Sequence, residues 1–333
     1  MSDLQSLLSK RHEKVIIDVR SESEFLQGHF PGSLNFPILN NEERAIVGTT
    51  YKKQGSNQAV LEGIRLTGPR LHKLVEQVQQ AVGTQEALAY CWRGGMRSKN
   101  FCWIMQQAGV KVTPITGGYK QYRRWIHNQF ERKFNFTLLT GYTGSGKTEI
   151  LTLLKQKKEQ ALCLETFAHH KGSAFGGINQ ALQPTTEQFE NNIGEALSSL
   201  DEYQNIWLED EAIGIGNVFI PLPIWQNMRE SKLIKIEVSK KERIKRLVKE
   251  YGMAQPDALK KAIKQIEKKL GGQHAKAAIM AIDNNNLTVA ADIILTYYDK
   301  YYDKSIESRN LHGTMEWNWQ DVAASIQKLL NLK

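Results

Sequence analysis

Two short segments hold groups whose types and spacing suit chemistry on anions. The run Gly141-Tyr142-Thr143-Gly144-Ser145-Gly146-Lys147-Thr148 fits the pattern G-x-x-x-x-G-K-[ST] without exception. It follows an apolar stretch, Phe134 to Leu139, and leads into a helical pattern, Thr148 to Gln156. That order is what a phosphate-binding loop requires. Glycines at Gly141, Gly144 and Gly146 let backbone N–H groups, with that of Ser145, face a phosphate, and the helix N-terminus adds partial positive charge. Lys147 would neutralise outer phosphate oxygens, and the Thr148 hydroxyl would ligate Mg²⁺. Downstream, Ile206-Trp207-Leu208-Glu209-Asp210-Glu211 is an apolar strand ending in acids, and Asp210 or Glu209 is the expected metal-orienting carboxylate. The pattern implies a di- or triphosphate ligand and leaves open whether it is a nucleotide.

The second segment is Cys91-Trp92-Arg93-Gly94-Gly95-Met96-Arg97-Ser98, set between a strand-like run, Ala87 to Tyr90, and a helical run, Ser98 to Ala108. Backbone N–H groups of such a loop can converge on an anion lying over the Cys91 sulfur, with Arg97 closing the cradle. A helix N-terminus and two arginines should depress the thiol pKa and make Cys91 the nucleophile. Cys102 and Cys163 lack such a setting and read as ordinary core thiols. Three cysteines at these spacings fit neither a disulfide framework nor a zinc site.

Positioning these loops requires α/β architecture. Short β-branched or apolar runs at Val15 to Val19, Ala87 to Tyr90 and Lys111 to Ile115 alternate with helical patterns at Thr67 to Val82 and Ser98 to Ala108. That alternation predicts a parallel sheet. A second series of strands begins at Phe134 to Leu139 and continues at Ala161 to Leu164, Asn205 to Leu208 and Leu233 to Val238. The expected domains are therefore 1–133, holding the Cys91 loop, and 134–333, holding the phosphate loop and basic C-terminal helices such as Ser239 to Tyr251 and Pro256 to Leu270. A chain of 333 residues suits two such cores.

The net charge of +9 is localised. Residues 91–133 hold nine Lys/Arg against one Glu, and residues 231–276 hold fourteen against five acids, so the remainder is net acidic. This favours a polyanion such as RNA, although lysine-rich helix faces also occur simply as solvated surface. Arg123 and Arg124, beside the aromatic residues Tyr119, Tyr122 and Trp125, are the candidate RNA contacts. No stretch is long and apolar enough for a signal peptide or a membrane span, so a cytoplasmic protein is expected.

The Cys91 loop resembles the rhodanese family. Asp18-Val19-Arg20, Gly28-His29-Phe30-Pro31-Gly32-Ser33 and Thr116-Gly117-Gly118 resemble its flanking signatures, over about residues 12–127. Asp18 and Arg20 are read as holding that fold together. The spacing Cys-x5-Arg is one residue longer than in single-domain sulfurtransferases and matches the rhodanese-related phosphatases, which points from sulfane sulfur toward a phosphorus oxyanion. Rhodanese signature and P-loop in this order, with Glu43 to Lys52, Ala168 to Gly176 and Trp207 to Glu211, resemble the bacterial tRNA 2-selenouridine synthase family. That resemblance implies a rhodanese-like domain followed by a P-loop NTPase-like domain. It further implies S-geranylation of wobble 2-thiouridine from geranyl diphosphate, then replacement by selenium from selenophosphate, in tRNAs for Lys, Glu and Gln. Mg²⁺ and no redox cofactor are expected. An ATP-dependent tRNA sulfurtransferase with a Cys91 persulfide is the competing reading, and a non-enzymatic RNA-binding protein the third.

Overall fold

The computed structural model describes residues 14–307, 309 and 311–333. The chain divides into two compact units, Met1–Gln129 and Phe130–Lys333.

The first unit is built on a four-stranded parallel sheet: β1 (Val15–Asp18), β2 (Leu34–Asn35), β3 (Ala87–Tyr90) and β4 (Val112–Pro114), in the order β2-β1-β3-β4. The side on which successive strands are added reverses between β1 and β3, and at such a switch point the loops beyond the strand ends diverge and leave a crevice. The Cys91 loop leaves the sheet there. On one face Ile17, Val19 and Ala89 pack on Leu74, Val78, Phe101 and Met105 from the helices Leu71–Val82 and Met96–Gln107. On the other, Phe30 packs tilted against Tyr90 and stacks on Tyr122, with ring centroids at 4.3 and 3.8 Å. Two helices that hydrophobic spacing left unread, Asn41–Gln54 and Ser56–Thr67, precede the expected Thr67 to Val82 helix, which starts as a 3₁₀ turn at Gly68–Arg70. Asn40 opens the first of them with a capping box closed by Glu43.

The second unit carries a five-stranded parallel sheet: β5 (Phe136–Thr140), β6 (Gln160–Ala161), β7 (Ile206–Glu209), β10 (Lys232–Glu237) and β11 (Leu311–Glu316), in the order β11-β10-β5-β7-β6, with β8 (Gly214–Ile215) and β9 (Val218–Phe219) pairing separately as a small hairpin. The fully buried run of β5 is what a central parallel strand requires. Leu139, Trp207, Ile234 and Ile236 pack on Ile150, Leu151 and Leu154 of the helix Lys147–Gln156. The switch point lies at β5, and the phosphate loop begins at its carboxyl end.

Sequence and structure part at the C-terminus. The helices Lys240–Tyr251, Pro256–Leu270, Gly272–Asp283 and Leu287–Glu307 are followed by β11, which joins the sheet beside β10. Its alternating sequence, LHGTME, is mostly polar because an edge strand buries only one residue, Met315. The expected strand Ala161 to Leu164 is shorter than its apolar run, since Leu164 already opens the short helix Leu164–Ala168.

Candidate functional sites

Each unit holds its own candidate site. In the first, the helix Gly118–Phe130 fixes the Cys91 loop from beneath: the Tyr119 N–H donates to the Cys91 carbonyl at 2.9 Å and the Lys120 N–H to that of Trp92 at 2.8 Å. With these carbonyls engaged at the helix start, loop N–H groups are left for the sulfur. Gly118 has φ +54°, and a Cβ there would lie 2.2 Å from the Cys91 carbonyl oxygen, so no other residue fits. At Gly94, φ +65°, a Cβ would lie 2.7 Å from the Ile115 carbonyl oxygen and 2.8 Å from the Gly117 nitrogen.

Burial pushes the Cys91 thiol up, but opposing interactions outweigh it and set the pKa below the ordinary cysteine value. They are the Ser98 hydroxyl at 3.2 Å, the N–H groups of Ser98 and Arg93, and the charge of Arg97. Cys102 goes the other way, pushed by burial up to about 12, and burial raises Cys163 still more strongly. Arg97 does not stand over the loop as a free cation. Its guanidinium donates to both Glu24 carboxylate oxygens, at 2.7 and 3.2 Å, because Glu24 lies on the neighbouring helix Glu22–Gln27. Trp92, Arg93 and Met96 are exposed around the loop, and Gly95 caps the helix that begins at Met96.

Asp18 and Arg20 form a buried bidentate pair, with Arg20 also donating to the Gly28 carbonyl at 2.6 Å and lying 3.8 Å from the Tyr119 ring centroid. Their place is beneath the loop, inside the fold. Arg123 donates to His127 at 3.1 Å, Arg124 is exposed one residue further, and Trp125 packs on Tyr122 with centroids 6.0 Å apart.

In the second unit, the helix Lys240–Tyr251 braces the phosphate loop. Arg243 is buried, donating to the Thr143 carbonyl at 3.2 Å and to both Asp299 oxygens, at 2.9 and 2.8 Å. Arg246 reaches Glu149 at 2.6 Å and covers the Trp319 ring at 3.8 Å. A Cβ at Gly146, φ +87°, would collide with both Arg246 and Trp319, and one at Gly141 would lie 2.5 Å from the Ile236 carbonyl oxygen. The Ser145 hydroxyl lies over Gly141, buried and without a partner.

Lys147 Nζ donates to the Gly141 carbonyl at 3.1 Å and to the Tyr302 hydroxyl at 3.4 Å. Burial alone would lower its pKa; Tyr302 and the carboxylates Glu211 and Glu165 outweigh burial and hold it above the usual lysine range. The Thr148 hydroxyl donates to Glu165 Oε2 at 2.6 Å, and Glu165 N–H donates to Glu209 Oε1 at 2.8 Å. Burial, with Glu165 nearby, raises the Glu209 carboxyl to about 7, and its Oε2 is buried without a partner. Burial and the Glu165 charge likewise raise Glu211, against the lowering effect of Lys147.

Asp210, one of the two acids expected to orient a metal, is instead ion-paired with Arg309, which also donates to the Met228 carbonyl at 3.2 Å. Strand alternation sends neighbouring side chains to opposite faces, so Glu209 and Asp210 could not both meet Thr148. The acid that touches Thr148 is Glu165. The segment from His169 to Gly176 is a turn-rich loop in which a Cβ at Gly172 would meet Glu211 at 2.7 Å. His169 bonds the Leu182 carbonyl at 2.9 Å, so the two histidines do not act as a pair. Glu165, Arg243 and Tyr302 escaped the sequence reading. Each meets its partner across a long stretch of chain, so no local signal marks it.

A thiol in a backbone cradle at the switch point of one sheet and a phosphate loop at that of another define a rhodanese-like domain followed by a P-loop domain. Residues 1–124 match the Rhodanese-like domain, and residues 134–332 match the tRNA 2-selenouridine synthase AAA domain. The tRNA 2-selenouridine synthase of Nitrosomonas eutropha is 33% identical, with 89% of each chain covered. That of Sulfurovum is 30% identical over 98% of each, and that of Shewanella woodyi 32% identical over 88% of each. The chain belongs to the tRNA 2-selenouridine synthase family, an enzyme family of the transferase class.

Proposed function

We propose that this chain modifies tRNA at the wobble position, converting 2-thiouridine to 2-selenouridine through S-geranyl-2-thiouridine in tRNAs for Lys, Glu and Gln. The observation that carries this reading is the pairing, in one chain, of two different anion sites: a low-pKa thiol, Cys91, and a phosphate loop, Lys147 with Thr148. The P-loop holds the diphosphate of geranyl diphosphate. Loop N–H groups and Lys147 stabilise the charge that develops on the leaving diphosphate as the allylic C–O bond breaks and the thiocarbonyl sulfur takes the carbon. The Cys91 loop, Trp92 to Ser98, holds selenophosphate, with Cys91 positioning its selenium to attack the base carbon; the C–S bond breaks to release the geranylthiolate, and water takes the phosphoryl group as phosphate.

Mg²⁺ fits the second site. The residues that would hold it are Thr148 with Glu209, whose buried, unpartnered Oε2 is the kind of atom a cation satisfies, and Glu165 would orient Thr148. Among the described residues no three His, Cys, Asp or Glu side chains are grouped so as to hold a metal ion. When bound, the ion supplies further neutralisation of diphosphate charge. Arg123 and Arg124 contact the tRNA.

The test is mass spectrometry of wobble nucleosides after incubating 2-thiouridine tRNA with geranyl diphosphate, then with selenophosphate. A geranyl adduct followed by the selenium product is expected, and no mass change in either step overturns the proposal. Lys147→Ala should abolish geranylation and spare selenation of tRNA already geranylated. The opposite pattern would refute the assignment of one substrate to each domain. RNA-stimulated ATP turnover would favour the ATP-dependent sulfurtransferase instead.

A further inference from the structure

The second unit contains an apolar cavity that begins at the phosphate loop itself. Its wall starts at Thr143, inside the loop, and continues through Leu247 and Tyr251 of the bracing helix, Phe175 of the His169 to Gly176 loop, and Ile294 and Tyr298 of the helix Leu287–Glu307. Its enclosed part is small, about 70 Å³, and it widens to about 600 Å³ when counted with its open mouth.

Two features tie the cavity to the phosphate site. A Cβ on Gly144 would lie 3.1 Å from Leu247 Cγ, so the loop backbone and the cavity wall touch. The same helix supplies Arg243 to the Thr143 carbonyl and Leu247, one turn later, to the cavity. A ligand with its phosphates on the loop therefore has hydrocarbon within a residue's reach.

The wall is also poorly suited to a nucleobase, which needs hydrogen-bonding groups opposite its edge. The Tyr298 hydroxyl already accepts the Ala174 N–H at 3.3 Å, and the Ser173 hydroxyl accepts the Phe175 N–H at 3.2 Å. Apart from the hydroxyls of Thr143 and Tyr251, the rest of the lining is aliphatic or aromatic carbon, including Leu259, Ile282 and Leu287.

We propose that this cavity binds the hydrocarbon tail of an alkyl diphosphate whose phosphates rest on Gly141 to Thr148, and that it sets the accepted tail length. This rests on the reading of the loop as a diphosphate holder. Buried methylene groups are worth roughly a factor of four each. Removing five carbons from a ten-carbon tail should therefore weaken binding by on the order of 100-fold, allowing for incomplete burial.

The experiment measures equilibrium binding to the full-length protein, without tRNA, of geranyl diphosphate, dimethylallyl diphosphate and inorganic pyrophosphate. The wild type should prefer them in that order. Ala291→Phe, which fills the cavity from the helix Leu287–Glu307, should lower geranyl diphosphate affinity at least 10-fold and leave pyrophosphate affinity unchanged; the retained pyrophosphate binding shows that the variant is folded. Should that variant fail to fold, Ile294→Ala serves instead, and it should lower the preference for geranyl over dimethylallyl diphosphate. A wild type that prefers geranyl diphosphate, with both variants keeping that preference intact, overturns the cavity assignment alone. A wild type that binds pyrophosphate as tightly as geranyl diphosphate overturns both the assignment and the reading beneath it.

Discussion

Removal of the Ser98 hydroxyl tests the electrostatic account of Cys91. The Ser98 Oγ lies 3.2 Å from the sulfur, while the Ser98 and Arg93 N–H groups approach it from the backbone. Ser98→Ala deletes only the hydroxyl, since alanine keeps the N–H and suits a helix at least as well. A hydrogen bond to a charged group contributes about 1.5 kcal/mol or more, and about 1.4 kcal/mol is a factor of ten in an ionisation equilibrium. The thiolate population below its titration midpoint should therefore fall about tenfold, and alkylation by iodoacetamide should slow about threefold, because a thiolate of higher pKa is the stronger nucleophile. The sign follows from the direction of the native shift: a depressed thiol pKa leaves thiolate present at lower pH, and losing a stabilising donor moves the midpoint upward. Peptide mapping by mass spectrometry reads the rate at Cys91, with Cys102 and Cys163 as internal controls that stay unmodified because burial raises both. Arg97→Ala should have the smaller effect, since Glu24 already compensates that charge. An unchanged Cys91 profile in Ser98→Ala, or a larger effect from Arg97→Ala, would refute the argument.

Two further outcomes are expected. Glu209 is fully buried with its carboxyl raised to about 7 from 4.5, so the folded state holds its proton and loses stability as pH rises through that window, by at most about 3 kcal/mol. Glu209→Gln should remove this dependence and raise the thermal midpoint more at pH 8 than at pH 5, as scanning calorimetry would register. On the helix Pro256–Leu270, Lys264 and Lys268 are exposed, and if they meet phosphates Lys264→Glu with Lys268→Glu should weaken tRNA binding and flatten its salt dependence by about one per lost contact. A slope identical to wild type in filter binding would remove this face from the interface.

The sequence made the strands beneath both sites legible because a parallel strand buried on both faces must be largely apolar: ALAY is so throughout, and VIID, FTLLT and IWLE are so apart from Asp18, Thr137, Thr140 and Glu209. The loops were legible because their glycines are demanded by backbone approach, as at Gly94 and Gly141. What escaped were partners separated by long stretches of chain. Nothing local in Leu164-Glu165-Thr166 says that Glu165 will meet Thr148, and Arg243 looks like one more cation on a lysine-rich helix until the fold lays that helix against the phosphate loop. β11 was hidden by its polarity, an edge strand having little core to announce it. Asp210 fell on the wrong side of a two-residue alternation that periodicity gives only when the strand's register is known.

The distribution of charge changes meaning once these partners are placed. The basic tract from 231 to 276 could be read as a polyanion surface or as solvated lysine-rich helix faces, yet several of its cations are committed inside the unit: Arg243 to Asp299, Arg246 to Glu149, Lys240 to Asp292 and Lys260 to Asp283. Two of them, Arg243 and Arg246, serve the phosphate loop, so part of the tract concerns a small anion. The exposed lysines of Pro256–Leu270 are a separate population on one helix face. Its opposite face, Leu259, Ala262, Ile263 and Ile266, packs into the helical core that also walls the apolar cavity. One helix thus presents a solvated cationic face outward and hydrocarbon inward, the amphipathic arrangement that lets a single element serve a large polyanion and an apolar tail at once.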